Sequence, residues 1–557
     1  MWTYDDLGIP VKLGLLVIAC LLALRFSPTK VPLVNRCKRG WQRLATRPWR
    51  CGLVLVAVSL GLNVLFTIVH YPQPVTHDEF SYLLASDTFA SGRLANPAHP
   101  LWEHFETYHV LSQPNWVSKY PPASGIVMGL GQVLTGHPIV GVWLAFALAT
   151  LAMYWMLRAW TSPQWAALGA LLIAANGPLI RAWGQTYWGG SMALLGGALV
   201  FGGLRRIWSA DERPLLRDAV LLGLGLVVLA NSRPMEGLLV SLPVFVLLVV
   251  WMFKTTQLSW TNKCTRVAAP ILLIGLAGLV GMAHYNRATT GDALTMPYKL
   301  HDDTYSMSSL LITKNPPDAP SYNHPRMERF YREWGRERQL SYREPAVYRR
   351  QLTRKLELLW NFLPIGIGLS LIPVVFLFRE PWSRLAIGIF AALLLVHFQL
   401  AAYWIYPHYI APALALFMVI NLQCLRHLRI WNRDRKWGLV ATRVILIVAF
   451  LKLVPTWVAW QTRPMPNPRA DVIERLADDP VDRHLVVCTY GPDYPVYSDW
   501  VYNAANIDAS PVVWARDLGE SKNAKLFEYF ADRKIWRCHL ENDETMTLQP
   551  VHGCQGF

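Results

Sequence analysis

Charge is scarce in this 557-residue chain: Asp, Glu, Lys and Arg make up 16% of it, against 53% hydrophobic residues. A soluble protein of this length breaks its apolar segments with charges at amphipathic spacing. Here apolar runs of about 18 residues or more recur through most of the sequence, each long enough to cross a bilayer core as a helix. The eight cysteines show no CxxC or other metal-ligand spacing, which removes a cysteine-based metal site from consideration. No internal repeat and no low-complexity tract is present. The first run, 9–26, has Asp5 and Asp6 before it and no small-residue cleavage site, so it reads as a retained helix and not a removed signal peptide. The expected fold class is an all-α polytopic membrane protein.

The formal net charge of +16 would suit a nucleic-acid partner, but its distribution argues against one. Eight Lys/Arg and no acids lie between Arg25 and Arg50, as in a cytoplasmic loop. Further basic clusters follow later runs, at Arg205-Arg206, at Lys254 with Lys263 and Arg266, and from Arg426 to Arg443. The tail after Thr462 is acidic instead, with 15 Asp/Glu against 10 Lys/Arg. This is topological charge, and no nucleic acid is expected as a partner.

Runs at 9–26, 51–70, 138–158, 163–182, 188–207, 215–231, 234–254, 267–286, 361–378, 384–403, 407–425 and 438–459 give about twelve crossings. With loop 27–50 in the cytoplasm, parity places loops 71–137 and 287–360, the 403–409 turn and the tail outside. The Arg-rich turns near 205, 254, 380 and 430 then all fall inside. The helix after Lys119, 123–135, is too short to cross and is expected to be re-entrant or interfacial. Within loop 287–360, the stretch Arg326 to Lys355 reads as an amphipathic helix pair at a headgroup surface, or as a solvated helical linker. The division is thus 1–50, an N-terminal helix and basic loop; 51–460, the membrane domain; and 461–557, a soluble extracytoplasmic domain. In that last part 484–488 and 535–538 read as strands and 523–530 as a helix, a small α/β arrangement. Of Cys488, Cys538 and Cys554, one pair is free to form a disulfide outside the cell.

Just beyond the second run lies Thr76-His77-Asp78-Glu79-Phe80-Ser81-Tyr82. Adjacent carboxylates beside a histidine at the lip of a membrane are costly to desolvate and tend to mark function. Parity brings other polar residues to the same side: Lys119 in Ser118-Lys119-Tyr120-Pro121-Pro122, Arg233 and Glu236 in Asn231-Ser232-Arg233-Pro234-Met235-Glu236, and Tyr406, His408 and Tyr409. A carboxylate can take a proton from an attacking hydroxyl. Lysine and arginine can stabilise negative charge on a departing phosphate.

The Asp78-Glu79 pair, Tyr82 with the Ala90-Ser91-Gly92 region, and the Lys-x-Pro-Pro motif at Lys119 resemble the GT-C membrane glycosyltransferases. The nearest in pattern are the protein O-mannosyltransferases and the lipid A aminoarabinose transferase, over residues 48–430. The resemblance implies a polyprenyl-phosphate sugar donor, inverting transfer to a hydroxyl acceptor on the outer face of a bacterial plasma membrane, and membrane lipids around the bundle. It implies Asp78 as the base and Lys119 on the donor phosphate. Where those enzymes carry a second acid, Trp183–Ser191 here has none. Arg233 and Glu236 stand where many relatives have a Lys-Gly-Pro sequence, so Arg233 is a candidate for a second phosphate contact. No cofactor is required; a divalent metal, if one acts, is expected at Glu79 with His77 or His408. The acceptor is a lipid, a polysaccharide or a protein.

Each residue also has a plainer reading. Asp78 is a favoured N-cap type. Glu79 could contact acceptor, bind metal or pair with an arginine. His77 could be solvent-facing, and Lys119 could snorkel to headgroups. Arg233 could pair with Glu236, and His408 could cap its helix. For the whole chain the alternative is a transporter or lipid flippase, which would set its charges near the bilayer midplane on broken, repeated helices. A scaffold whose tail binds an envelope partner has no need of Asp78-Glu79 or Lys119.

Overall fold

Among the described residues seven helices are long and apolar enough to cross a membrane: Pro48–Val69, Pro138–Trp160, Pro234–Lys254, Trp260–Thr290, Pro381–Gln399, His408–Ile430 and Trp437–Thr462. They were obtained from a computed structural model, which describes residues 9–25, 32–210, 215–362, 371–399, 407–462, 467–542 and 545–551. The first part of the chain comprises α1 (Ile9–Arg25), α2 (Pro32–Ala45), α3 (Pro48–Val69), α4 (His77–Ala90), α5 (Pro122–Thr135), α6 (Pro138–Trp160) and α7 (Pro163–Ala174).

Several expected crossings take other forms. The 163–182 run breaks into α7 and a segment Gly177–Gly184 bent by 50° from it. The cause is local. Pro178 sits in the first turn of the second piece, and Asn176 Oδ1 caps it by accepting from Leu179 N at 2.9 Å. Helix Gly190–Ser209 has the length but carries Arg205 and Arg206 near its end. Helix Leu216–Ala230 has 15 residues, about 22 Å at 1.5 Å per residue and short of a core of about 30 Å. Of the 361–378 run, only Val374–Leu377 is helical beyond Phe362 among the described residues, and 363–370 lie outside them. Counting the bent pair as one span gives up to eight among the described residues by length and composition, against the expected twelve.

The His408–Ile430 helix is the axis of the bundle, with 94% of its apolar window buried. A helix apolar on all sides belongs in an interior. Gly197 of the Gly190–Ser209 helix lets it approach: a Cβ there would meet the Pro412 carbonyl oxygen at 2.4 Å.

One end of the bundle is covered by the α3–α6 connection. There α4 packs on α5, and short strands β1 (Asn96–Pro97), β2 (Val110–Leu111) and β3 (Asn115–Ser118) form an antiparallel sheet in the order β1-β3-β2. Alpha-5, with 14 residues, does not cross. Residues 325–341 and Pro345–Phe362 are helical, as expected of the long loop, and Tyr305, Met327, Phe330 and Tyr331 of that loop pack on Tyr108, Leu111 and Val117.

The tail folds as β4 (His484–Tyr490), β5 (Val512–Arg516), β6 (Lys534–Leu540) and β7 (Met546–Pro550), in the order β5-β4-β6-β7. Beta-4 runs parallel to β5 and β6, and β7 is antiparallel to β6. Helices Pro468–Ala477 and Glu520–Tyr529 accompany the sheet. Parallel strands buried on both faces read as continuous apolar runs, which is why β4 stands out in the sequence. Cys488 and Cys538 are in register on adjacent strands, and both are free thiols; Cys554 lies outside the described residues. Leu485, Val487, Val513 and Phe530 share one apolar cluster with Leu84, Phe105, Val110 and Trp116, so this sheet rests on the α4–β3 region.

Candidate active site

The entry to α4 fixes the position of Asp78. Thr76 is the extended N-cap residue, and Glu79 turns back so that its Oε2 accepts from Val75 N at 3.0 Å and Thr76 N at 3.2 Å. Glu79 Oε1 accepts from Tyr187 N at 3.2 Å. With the Thr76 hydroxyl also on Oε2, at 3.3 Å, both carboxylate oxygens are engaged. The geometry therefore gives Glu79 a bracing part: it ties α4 to the 183–191 segment. That acid-free segment contributes further, as the Trp188 indole donates to Thr76 Oγ1 at 3.2 Å. Replacing Glu79 by Ala leaves these donors unmatched, and a loss of about 1–3 kcal/mol is expected, measured as a lowered unfolding midpoint in detergent.

Asp78 sits in the first turn of α4 and does not cap it. Its Oδ1 accepts from His109 Nδ1–H at 2.9 Å and from the Tyr120 hydroxyl. Its side chain remains 31% exposed, so the carboxylate is held on one side and open on the other. His109 occupies the left-handed region (φ 62°), rare for a residue with a side chain. Its carbonyl is pinned there by Ser81 Oγ at 2.6 Å and Lys119 N at 3.2 Å. Tyr120 follows β3 and precedes the prolines that open α5. Its ring stacks on Tyr82 at 4.3 Å and 12°. Asp78 and Tyr82 share a helix face at i, i+4 spacing.

Burial pushes the Asp78 carboxyl up, but His77 and His109 beside it, and the hydrogen bonds from His109 and Tyr120, win and hold it well below the usual carboxylate range. Burial in turn lowers His77, and lowers His109 well below the ordinary imidazole value. Asp78 pulls both imidazoles the other way, and the carboxylate also rests on donated hydrogen bonds and the positive end of α4. Tyr82 is pushed up to about 12, chiefly by burial. The result is an ionised carboxylate among hydrogen-bond donors, in a form able to take a proton.

Two cations flank it. Lys119 is 6% exposed, with Nζ 5.1 Å from the Tyr298 ring and 5.4 Å from that of Tyr120. Burial brings its ammonium down to about 8 against the opposing pull of Asp302 and Asp78. Arg233 begins the Pro234–Lys254 helix. It reaches the site because Ala123 N, at the start of α5, donates to Asn231 O at 2.9 Å. Its guanidinium lies 4.7 Å from the Tyr409 ring, and its Nε finds no acceptor. Glu236 is buried with Oε1 unpaired, so the expected alternative of an Arg233–Glu236 pair is not what forms. Neither Lys119 nor Arg233 has a carboxylate within ion-pair distance among the described residues.

His408 stands 5.3 Å from the Trp188 ring and 4.4 Å from Tyr409. Tyr406 lies outside the described residues. His77 donates from Nδ1 to Tyr497 O at 3.3 Å, which brings the C-terminal sheet's 491–499 loop to the rim of the site. Ligand atoms of His77, Asp78 and His109 fall within 4.8 Å of one another, a nitrogen–nitrogen–oxygen set of the kind a divalent ion accepts. That set differs from the expected one: Glu79 is spent on α4, and His408 lies with Trp188 and Tyr409. His109 and the hydroxyl of Tyr120 were absent from the sequence reading. His109 is one of five histidines in a 67-residue connection, and no periodicity or motif singles it out.

No family model matches this chain, and no curated protein matches it in sequence. Among solved structures, ArnT from Cupriavidus metallidurans in the apo state aligns with a TM-score of 0.53 at 13% identity, over 90% of this chain and 93% of that one. The chain has the GT-C fold. The same ArnT bound to undecaprenyl phosphate aligns with a TM-score of 0.49 at 13% identity, over 88% of this chain and 89% of that one. The apo oligosaccharyltransferase of Archaeoglobus fulgidus aligns with a TM-score of 0.44 at 11% identity, over 79% of this chain. The chain spans 62% of the length of that oligosaccharyltransferase. On the GT-C fold described here, the cluster around Asp78 lies at the end of the bundle covered by α4, α5 and the C-terminal sheet.

Proposed function

We propose that this chain is an inverting glycosyltransferase that moves a sugar from a polyprenyl-phosphate donor to a hydroxyl of an envelope lipid, polysaccharide or protein. Its site faces the outside of a bacterial plasma membrane, as the basic turns at the far end of the bundle argue. The observation that carries the reading is a pair of cations, the buried Lys119 and the half-buried Arg233, with no carboxylate within ion-pair distance among the described residues and an ionised Asp78 close by. Buried charges without partners are strongly destabilising, and a donor phosphate supplies the missing anion.

In the proposed step the acceptor oxygen attacks the anomeric carbon, and Asp78 takes its proton. The bond from that carbon to the phosphate oxygen breaks, and its electron pair leaves on the polyprenyl phosphate held by Lys119 and Arg233. The step uses no metal; if a divalent ion takes part, His77, Asp78 and His109 are the residues to hold it. The test is transfer of a radiolabelled sugar from a polyprenyl donor in detergent. Labelled product supports the reading. A sugar lipid that is only moved across vesicle bilayers, unchanged, makes the chain a flippase.

A pH dependence follows. Lys119 titrates near 8 in the free protein, so its charge is present below that value and lost above it. Polyprenyl-phosphate affinity should fall as pH rises through 8, and the Lys119→Arg protein, which stays charged, should lose that dependence. Titrating binding from pH 6.5 to 9.5 checks both.

A further inference from the structure

The opposite end of the bundle carries a basic concavity. The Ala411–Ile430 helix runs from His408, beside the site, to a tight 431–436 turn; its 20 residues place that turn about 30 Å away. The turn is held by two non-glycine residues in the left-handed region, Asn432 (φ 47°) and Lys436 (φ 59°). It also needs Gly438, where a Cβ would meet the Leu428 carbonyl oxygen at 2.0 Å. This folds the start of the Trp437–Leu451 helix back on the end of its predecessor. A cavity of about 550 Å³ results, lined by Arg426, Arg429, Arg433, Lys436, Gln423 and Trp165 among others.

Three features set this cavity apart from a merely basic loop. Gln423, 8% exposed, is fixed by donating to Trp160 O at 3.1 Å and accepts from Arg426 Nη1 at 2.6 Å, so one guanidinium is aimed by a buried residue. The only carboxylate on its wall, Glu380, accepts from Ser383 at 3.1 Å, and no ion pair links the four cations to an acid among the described residues. The positive end of the Trp437–Leu451 helix adds to the field. Trp431 and Trp437 beside it are 62% and 58% exposed, the mark of an aromatic belt at headgroup depth.

We infer that this cavity binds the phosphodiester headgroup of an anionic phospholipid in the leaflet opposite Asp78. Trp165, Ile430 and Leu439 supply the apolar wall for the glycerol and upper acyl chains. A soluble phosphate would use the same cations but not the belt. The inference rests on this end of the molecule alone and does not depend on the proposed transferase reaction.

The test is native mass spectrometry of the full chain released from mixed micelles of dioleoyl phosphatidylglycerol and dioleoyl phosphatidylcholine. Wild type should retain the anionic lipid at least tenfold over the zwitterionic one. Arg429→Gln with Arg433→Gln, both exposed, should reduce that preference by an order of magnitude, whereas Arg217→Gln, an exposed basic change elsewhere, should not. Equal retention of the two lipids, or a double variant indistinguishable from wild type, overturns the inference. So does displacement of the lipid by millimolar inorganic phosphate, which would assign the cavity to a soluble anion.

Discussion

Asp78→Asn is expected to lower sugar transfer by about 10²–10⁴-fold, the usual contribution of a general base, while polyprenyl-phosphate binding changes by less than about threefold. The amide keeps the shape of the side chain and an oxygen to accept from His109 and Tyr120, and Thr76 and Glu79 organise α4 without it. The fold should therefore survive, which a matched unfolding midpoint would confirm. What is lost is the charge. The wild-type carboxyl lies well below its ordinary range, so it stays ionised down to acid pH, and no activity limb near neutrality should trace to it. Any fall on the alkaline side belongs to Lys119. Wild-type turnover in a folded Asp78→Asn protein would remove Asp78 from the chemistry and leave the cation pair as an anion site only.

The parts of this site legible in sequence are those where charge violates hydropathy. Asp78, Lys119 and Arg233 each interrupt or border an apolar stretch, so their cost is visible without coordinates. Glu79 was visible for the same reason, yet its role was not, because a capping box and a catalytic pair look alike when only the spacing Thr76-x-x-Glu79 is known. His109 was invisible. Its contact with Asp78 depends on a left-handed residue between α4 and β2, set by long-range bonds from Ser81 and Lys119. The bundle itself was legible wherever a run was long and uniform, as in Pro48–Val69 or Pro138–Trp160. Reading failed where local chemistry cut a run, as Asn176 and Pro178 do. In the tail, β4 was found by its continuous apolar face. Beta-7 was missed because an edge strand with mostly exposed residues carries no such pattern.

Asp499→Ala is expected to destabilise the packing of the C-terminal sheet on the bundle by about 3–5 kcal/mol, the cost of breaking a buried pair from one side. Asp499 is 0% exposed at its side chain and Arg516 4%, with Arg516 Nη2 donating to Asp499 Oδ2 at 2.6 Å. The carboxylate also accepts from Thr107 Oγ1 at 3.0 Å, from the Tyr490 hydroxyl and from Trp500 N at 2.9 Å. Arg516 donates onward to Glu106 O at 2.9 Å. The pair therefore joins β5 to Glu106 and Thr107, just before His109. Burial alone would raise the Asp499 carboxyl, but Arg516 and Arg326 hold it well below the usual range. A depressed carboxyl contributes stability above its unfolded value of about 3.9 and loses it only as pH falls further; the interface should therefore loosen in acid and not near neutrality. Replacing both partners, Asp499→Leu with Arg516→Met, removes the stranded charge, and most of the lost stability should return. Limited proteolysis of the 467–551 region and the unfolding midpoint read this out. Because Tyr497 O accepts from His77 in the same loop, Asp499→Ala should also depress transfer while leaving phosphate-lipid affinity in place. A single variant with normal stability would mean that the tail is held by its apolar contacts alone, through Leu84, Phe105 and Trp116, with the ion pair serving only to fix their register.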